Sequence, residues 1–598
     1  MCGIAGIIGD YSILDIESMI EKIKHRGPDG SKYYRNQSFC FIHSLLKVMD
    51  LSVNSVQPMI DKDTGNIIIF NGSIYNYKEL KKRLFFKDSF NSNTDTEVLL
   101  KLYHKFGLNF IQYINGMFSM ALYIKKLNKI YIIKDKYGIK PLYYFTNSKK
   151  FIFASEIKTL LSNKSVKKNL SIDTNEVIKF IGHRQIHGFR KTLIQNINIL
   201  EPGHFIEFDL EKKKFEINKY TNKNFNFLSD KDSSSFEENL DLAISQQSIT
   251  EHKKIACFLS GGLDSTLLSI ILKNQAKNKE IHTFSSILNN PNDENKNISK
   301  LNKEYNFTEH YIQEDMVNFY DDHIKTIKDM DQPTADASMV VHNVLCREVS
   351  KNGFKVLFSG LGGDEIFFGY SMHMYGYLAS VLKKRGLINF IKLVKFFSDF
   401  TNDKNIILRS LKETLDLKKL NSFKNYQLYK NIKHLDCNSR LENTDYYKKL
   451  DENKFQNIVL NYNTHWGLSY FLDYEDKNSM SYGIESRVPY LDYNLGNYSR
   501  KTSLENHFSI GSKSLLRKHP KIPSYILNNK KKYGFPGNLE GYIKKDFEKI
   551  RENIFYSFKD IPLIDTNKLI NLTKDLKKNQ AVFFRTYSYG IWYKNIFK

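Results

Sequence analysis

Three stretches of this 598-residue sequence carry side chains suited to covalent or phosphate chemistry. The first is the opening, MCGIAGIIGD, with Cys2 directly after the initiator methionine and at the head of an apolar, glycine-broken run. Removal of Met1 would leave Cys2 with a free α-amine beside its thiol. The thiolate is the nucleophilic form of cysteine, and an α-amine with a reference pKa of roughly 7.7–8.0 can take the thiol proton near neutral pH. Taken alone, such a cysteine reads as a small buried residue. The second stretch is LSGGLDSTLL, residues 259–268. Gly261 and Gly262 allow a tight turn and close approach to a ligand. Backbone N–H groups at the start of a following helix make an anion site, to which Ser260 and Ser265 add hydroxyl donors. Asp264 is out of place in a phosphate loop unless a cation accompanies the phosphate, so it is assigned to Mg²⁺ or to orienting the loop. The spacing is not that of a Walker A loop. The third stretch is FSGLGGDEIFFGY, residues 358–370. Ser359 and Gly360 end an apolar strand, where α/β sheets bind ligands. Asp364 and Glu365 are adjacent carboxylates able to meet Mg²⁺ or an amine.

These residues need elements to hold them. In the first 210 or so residues, NIIIFNGSIYN, FSMALYI, KIYIIKD, PLYYF and FIFASE are short β-branched or aromatic runs bounded by Asn, Gly and Asp, which predicts strands. LDIESMIEKIK and TDTEVLLKLYHKFG have helical spacing, the second closed by Gly107. Residues 213–235 turn polar and rich in Ser, Asn and Asp, and are expected to be a linker between domains at 1–212 and 236–598. Beyond it, KKIACFLS reads as a buried parallel strand, STLLSIILKNQ as a helix, and IHTFSSIL and FKVLFSG as further strands. That alternation predicts a parallel α/β sheet. Residues 370–600 read as helical and lysine-rich.

Composition narrows the function classes. The length exceeds what one core supports, so two or more domains are expected. The net charge is +24, but Lys is spread along the chain with Asn and Ile, and no long basic block stands apart. Nucleic-acid binding is therefore not expected, although excess lysine suits a polyanionic substrate such as ATP. No apolar run approaches the ~18 residues of a membrane span. The opening apolar run stops at Asp10, too short for a signal peptide. Cys2, Cys40, Cys257, Cys346 and Cys437 form no CxxC pair, which points to a reducing, cytoplasmic setting rather than disulfides or zinc.

The two glycine loops together with Cys2 resemble the glutamine-hydrolysing asparagine synthetase family, and the match runs almost the whole length. MCGIAGI, HRGPDG (25–30), NGSIYNY (71–77), TDTEVLL (94–100), GMFSMALY (116–123), KDKYGIKPLYY (134–144) and ASEIK (154–158) resemble its class II glutaminase domain. SGGLDS, DQPTAD (331–336), SGLGGDE, SMSYGIESRVPYLD (479–492) and KSLLR (513–517) resemble its synthetase domain. The resemblance implies an Ntn-hydrolase-type αββα glutaminase sandwich. A doubly wound parallel ATP-pyrophosphatase domain with a helical extension would follow it. It implies that Cys2 attacks the glutamine amide carbon with its own α-amine as base. The Asn71 side chain and a Gly72 N–H would form the oxyanion hole, and Asp95 would hold the glutamine ammonium. In the second domain, Leu259, Ser260, Gly261, Gly262, Asp264, Ser265, Ser286, Ser359 and Gly360 match nucleotide-contacting positions. Leu361, Asp364, Glu365 and Lys513 match the acyl-adenylate pocket, with Mg²⁺ on Asp264 and Asp364. Aspartate or another carboxylate would attack the α-phosphate of ATP, and ammonia would arrive through an internal tunnel. Family members are often dimers, so a homodimer is possible.

Three residues depart from that pattern. Leu45, in HSLLKVMD (43–50), stands where an arginine clamps the glutamine α-carboxylate, with Lys47 the first candidate to substitute. Ser73 replaces an acidic residue after Asn-Gly. Leu361 replaces a glutamate thought to help form and aminate the aspartyl-adenylate, and leucine cannot transfer a proton. The SGLGGDE pattern resembles that of asparagine-synthetase-like proteins, which leaves open an acceptor other than aspartate, a sugar uronic acid for example. An RNA-modifying ATP pyrophosphatase would use the same loop and suit the charge, but has no reason for a glutaminase domain.

Overall fold

The computed structural model describes residues 2–52, 55–86, 89–168, 170–183, 191–220, 235–276, 278–287, 294–400, 405–414, 467–528 and 539–598. Among these, the N-terminal strands are β1 (Gly3–Gly9), β2 (Ser31–Arg35), β3 (Phe39–Ser44), β4 (Met59–Ile60), β5 (Ile67–Ile74) and β6 (Gly116–Ile124). They continue with β7 (Lys129–Lys134), β8 (Tyr143–Thr146), β9 (Lys150–Ala154), β10 (Ile197–Ile199), β11 (His204–Asp209) and β12 (Lys214–Lys219). They form two sheets of order β10-β8-β9-β1-β3-β2 and β12-β11-β7-β6-β5-β4.

The strands are apolar on both faces because each sheet is covered twice. Alternation along β1 sends Ile4 and Ile8 towards Ile67, Ile69, Ala121 and Ile132 of the other sheet. Ala5 and Ile7 point outward to Ile16, Met19 and Ile23 of the helix Ile13–Ile23. On the second sheet Ile68, Phe70 and Leu122 meet Val98 and Leu102 of the helix Asp95–Phe106. The layers are helix, sheet, sheet, helix, as expected of an Ntn-type sandwich. The strand β12 corrects the linker boundary. KFEINK pairs antiparallel with β11 as a half-exposed edge strand. Its outward Lys and Glu gave it the polar look of a linker. The rest of that linker, 221–234, lies outside the described residues.

The second domain is built on a five-stranded sheet ordered β15-β14-β13-β16-β17, parallel throughout. Its strands are β13 (Lys254–Phe258), β14 (Glu280–Ile287), β15 (Thr308–Gln313), β16 (Val356–Phe358) and β17 (Glu485–Arg487). The chain leaves β13 towards β14 on one side and returns through β16 on the other. A crevice therefore opens between the carboxyl ends of β13 and β16. The strand β17 was not expected from the sequence, because its Glu485, Ser486 and Arg487 are polar yet buried. Described residues beyond 370 are otherwise helical. Their last helix, Leu576–Phe597, packs Tyr587 and Ile591 into the cluster beneath the first sheet.

Candidate active sites

Cys2 immediately precedes β1, one residue before Gly3 pairs with Ser44 of β3. Even-numbered residues of β1 face the second sheet, and the odd-numbered Asn71 and Ser73 of β5, like Ile67 and Ile69, face the first. Parity thus brings the two together, and the Cys2 amide nitrogen donates to Asn71 Oδ1 at 3.1 Å. Asn71 Nδ2 reaches Ser119 Oγ at 3.4 Å. Gly72 lies against β6 so closely that a Cβ would sit 2.0 Å from the Met117 carbonyl oxygen. The Arg26 Nε donates to the Cys2 carbonyl at 3.2 Å. Burial pushes the Cys2 thiol up, opposed by an N–H bond from Leu46. A thiol held protonated in this way needs a neighbouring base.

Asp95 is at the first turn of its helix, where the dipole favours a carboxylate. Its Oδ2 accepts from the Ile74 N–H at 2.8 Å. Burial nevertheless raises it to about 6, with the nearby Glu485 charge adding to the rise. Leu45 is buried in the turn after β3, its N–H bonded to the Gly30 carbonyl at 2.8 Å. The Lys47 ammonium, the candidate substitute for an arginine at 45, bonds the Leu51 carbonyl at 3.0 Å. His43 is buried and held down to about 3, hence neutral.

The second site lies at the crevice of the parallel sheet. The loop Leu259–Gly262 leads into the helix Leu263–Gln275, with Gly261 at φ 75° and Gly262 as the N-terminal cap. Ser260 N–H donates to Ser265 Oγ at 3.1 Å, and the two hydroxyls are 3.0 Å apart. Ser285 Oγ holds the Leu259 carbonyl at 2.6 Å. Ser286 Oγ is buried with no protein partner among the described residues, which suits a ligand contact. Across the crevice, Ser359 N–H donates to the Arg487 carbonyl at 2.9 Å. A Cβ on Gly360 would touch Asp264 and Ser265 at 3.4 Å, so this loop approaches the first one closely.

Lys513 ties the loops together. Its ammonium bonds Asp264, and Asp364 Oδ1 lies 2.6 Å away. The two carboxylates hold it above the ordinary lysine range despite burial. Its backbone is left-handed, at φ 56°, an uncommon conformation for lysine that surrounding structure must enforce. The pair Asp364–Glu365, expected to act side by side, diverges: buried Glu365 accepts from the Tyr370 hydroxyl instead. Leu361 packs against the apolar cluster under the crevice. Asp264 and Asp364 are hard oxygen donors converging on one cation, so they fit Mg²⁺.

A third set of residues was missed from the sequence, the seam between the domains. Fully buried Arg26 bonds Glu156 and, across the seam, Asp476, each at 2.8 Å. Lys140 also reaches Asp476, at 3.2 Å, and the Tyr143 hydroxyl reaches Asp473 at 2.5 Å. Asn115 Nδ2 donates to Asp492 at 2.7 Å. Glu485, on β17, accepts from Ser73 Oγ at 3.2 Å and from Arg487 Nε at 2.6 Å. Burial alone would raise the Glu485 carboxyl, but the positive charge around it, Arg487 first and Lys140 among the rest, together outweighs burial and the group is held at about 2. The available signal was in LSYFLDYEDKNSM, where apolar residues are spread around the helix among its carboxylates, so that it has no purely polar face. DQPTAD also belongs to this seam, with the Lys158 N–H on Asp331 at 2.9 Å.

A four-layer sandwich with a cysteine at residue 2, docked on a parallel-sheet nucleotide crevice, defines a two-domain amidotransferase. Comparison with known proteins agrees: residues 1–221 match the glutamine amidotransferase domain and residues 235–592 match asparagine synthase. The chain belongs to the asparagine synthase family. It is 33% identical to a putative asparagine synthetase (glutamine-hydrolyzing) 2 of Methanocaldococcus jannaschii, over 70% of this chain and 85% of that one. It is 26% identical to asparagine synthetase (glutamine-hydrolyzing) 1 of Bacillus subtilis, over 96% of this chain and 93% of that one. Asparagine synthetase 2 of the same organism is 27% identical over 83% of this chain and 66% of its own length. The chain is thus an enzyme of asparagine-synthetase type, built for glutamine-dependent amidation.

Proposed function

We propose that this enzyme hydrolyses glutamine at Cys2 and spends the ammonia on a carboxylate activated by ATP at the second site, most simply converting aspartate to asparagine. The observation that carries the reading is the pairing, in one chain, of Cys2 bonded to Asn71 with the Lys513–Asp264–Asp364 cluster beside the SGGLDS loop. At the first site the sulfur attacks the amide carbon of glutamine, its proton passing to the α-amine of processed Cys2. Ammonia leaves, and water releases glutamate from the thioester. Asn71 and Gly72 are the candidate donors to the oxyanion, and Asp95 the counter-charge for the substrate ammonium. At the second site a carboxylate oxygen attacks the α-phosphorus and pyrophosphate leaves. Lys513 and the N–H groups of Gly261, Gly262 and the helix start offset the phosphate charge. Asp264 and Asp364 would hold Mg²⁺, which supplies further charge neutralisation on the phosphates. Ammonia then displaces AMP from the acyl carbon. That ammonia would have to pass the seam around Glu485 and Arg26, which is buried.

A second acceptor is favoured by one observation. Leu361 is packed into apolar surroundings where the family resemblance places a glutamate, and Glu365 is taken by Tyr370. A carboxylate other than aspartate, such as a uronic acid, fits a pocket that lacks that group. The test is release of AMP and pyrophosphate with ammonia and either aspartate or a panel of uronates. Aspartate-dependent AMP supports asparagine synthesis, uronate-dependent AMP supports the second reading, and AMP formation with neither sinks both.

A further inference from the structure

The SGLGGDE loop runs on into the helix Ser371–Phe397, which breaks at Gly386, where φ is 78° and ψ 179°. After the break, one face of the Leu387–Phe397 segment is buried: Phe390 and Phe397 join Tyr377, Ile406 and Phe508 in a core. A helix with one apolar face inward ordinarily turns a polar face to water. This one does not. Leu387, Ile388 and Ile391 are 61%, 72% and 57% exposed. At about 100° per residue these three fall within one arc of roughly 100°, and Lys392 and Lys395 share that side. The adjoining helix Ile406–Thr414 adds Ile407 and Leu408, both about half exposed.

Along the helix Ser371–Phe397 the charge has one sign. No Asp or Glu occurs between Ser371 and Phe397, while Lys383, Lys384, Arg385, Lys392 and Lys395 do. Arg385 is paired with Glu505. Among the described residues Lys384, Lys392 and Lys395 form no ion pair. Aliphatic side chains set among uncompensated lysines are what a helix lying in a bilayer interface needs. The aliphatics enter the acyl boundary while the ammonium groups meet anionic headgroups. A nucleic acid would meet the lysines but leave the aliphatics in water. A second copy of this chain would set lysines against lysines across a two-fold axis. No described helix is long and apolar enough to cross a membrane, so the contact would be one of lying on the surface.

We propose that Leu387, Ile388 and Ile391, with Lys392, Lys395 and the adjacent Ile407 and Leu408, form a docking surface for an anionic lipid bilayer. The whole chain should sediment with phosphatidylcholine–phosphatidylglycerol vesicles, not with phosphatidylcholine alone, and less as salt rises. A lysine near an anionic surface contributes about fivefold in binding, so Lys392→Glu with Lys395→Glu should weaken it by about 25-fold or more. Ile388→Asp should also weaken it while leaving AMP release in the absence of vesicles unchanged. Failure to sediment with either vesicle overturns the proposal. Two patterns, without lipid binding, identify another occupant and also overturn it. One is self-association abolished by Ile388→Asp, which means a second copy; the other is a large fall in Tm on that substitution, which means the chain covers this face itself.

Discussion

Leu45 sits in a turn whose next amide, that of Leu46, bonds the Cys2 sulfur, so this position borders the nucleophile. An arginine there would give the glutamine α-carboxylate a charge-assisted contact of about 1.5–3 kcal/mol, or roughly 10- to 150-fold in affinity. Because Lys47 is turned to the Leu51 carbonyl, glutamine should bind weakly and ammonia should compete as nitrogen donor. Leu45→Arg is expected to lower the glutamine KM and leave ammonia use unchanged; a wild-type KM equal to that of arginine-bearing relatives would contradict this. Cys2→Ala is expected to abolish glutamine-dependent synthesis and spare the ammonia-dependent reaction, as the proposed use of the thiol at the first site alone requires. Asp95 adds a pH dependence. Its raised pKa of about 6 means that the carboxylate takes up a proton as pH falls through 6 and no longer meets an ammonium. Glutamine KM should therefore rise below about pH 6 and level off above it, a profile that Asp95→Asn should flatten.

At the scale of elements, two loops from neighbouring strands must interlock for the second site to exist. Glycines permit it. A Cβ on Gly369 would lie 1.9 Å from Asp364 Oδ1 and 2.2 Å from Lys513 Cε. Those atoms are side-chain ends that can move, so the domain should still fold. What moves is the ion-pair cluster itself. Gly369→Ala is expected to reduce AMP formation at least tenfold with little change in Tm, glutaminase turnover persisting; unchanged AMP formation would place the phosphates elsewhere. The SGGLDS loop was legible because strand, glycine turn and helix follow one another in sequence. Lys513 was reached only through resemblance, because nothing local announces a lysine that folds back across more than a hundred residues onto Asp264 and Asp364.

At the scale of the whole molecule, the domains share buried charge. Arg26 is fully enclosed between Glu156 and Asp476. Removing Arg26 leaves Asp476 to Lys140 and Glu156 to His25 and Lys158, one buried cation fewer, at a cost of up to about 3–5 kcal/mol. Arg26→Met should lower Tm by several degrees and impair glutamine-dependent synthesis more than ammonia-dependent synthesis; equal loss of both would assign it a purely structural role. Glu485 couples the sites electrostatically, since its negative charge raises Asp95 from the other domain. Glu485→Gln removes that like charge, so the acid limb of the glutamine KM profile should move to lower pH. A limb that stays in place would mean that burial alone sets Asp95.

The sequence by itself determined the two-domain order, the apolar strand that follows Cys2 and the strand, glycine turn and helix around SGGLDS. Each of those rests on a local pattern: period-two alternation, helical spacing, or glycines at a strand end. Tertiary structure alone decided the edge strand β12, whose exposed charges imitate a linker. It decided β17, where three polar residues become a buried strand because Arg487 and Ser73 satisfy Glu485. It also decided that Glu365 turns to Tyr370 while Asp364 turns to Lys513. Burial of a charge depends on a partner distant in the chain, and no local pattern in the sequence encodes which partner that is.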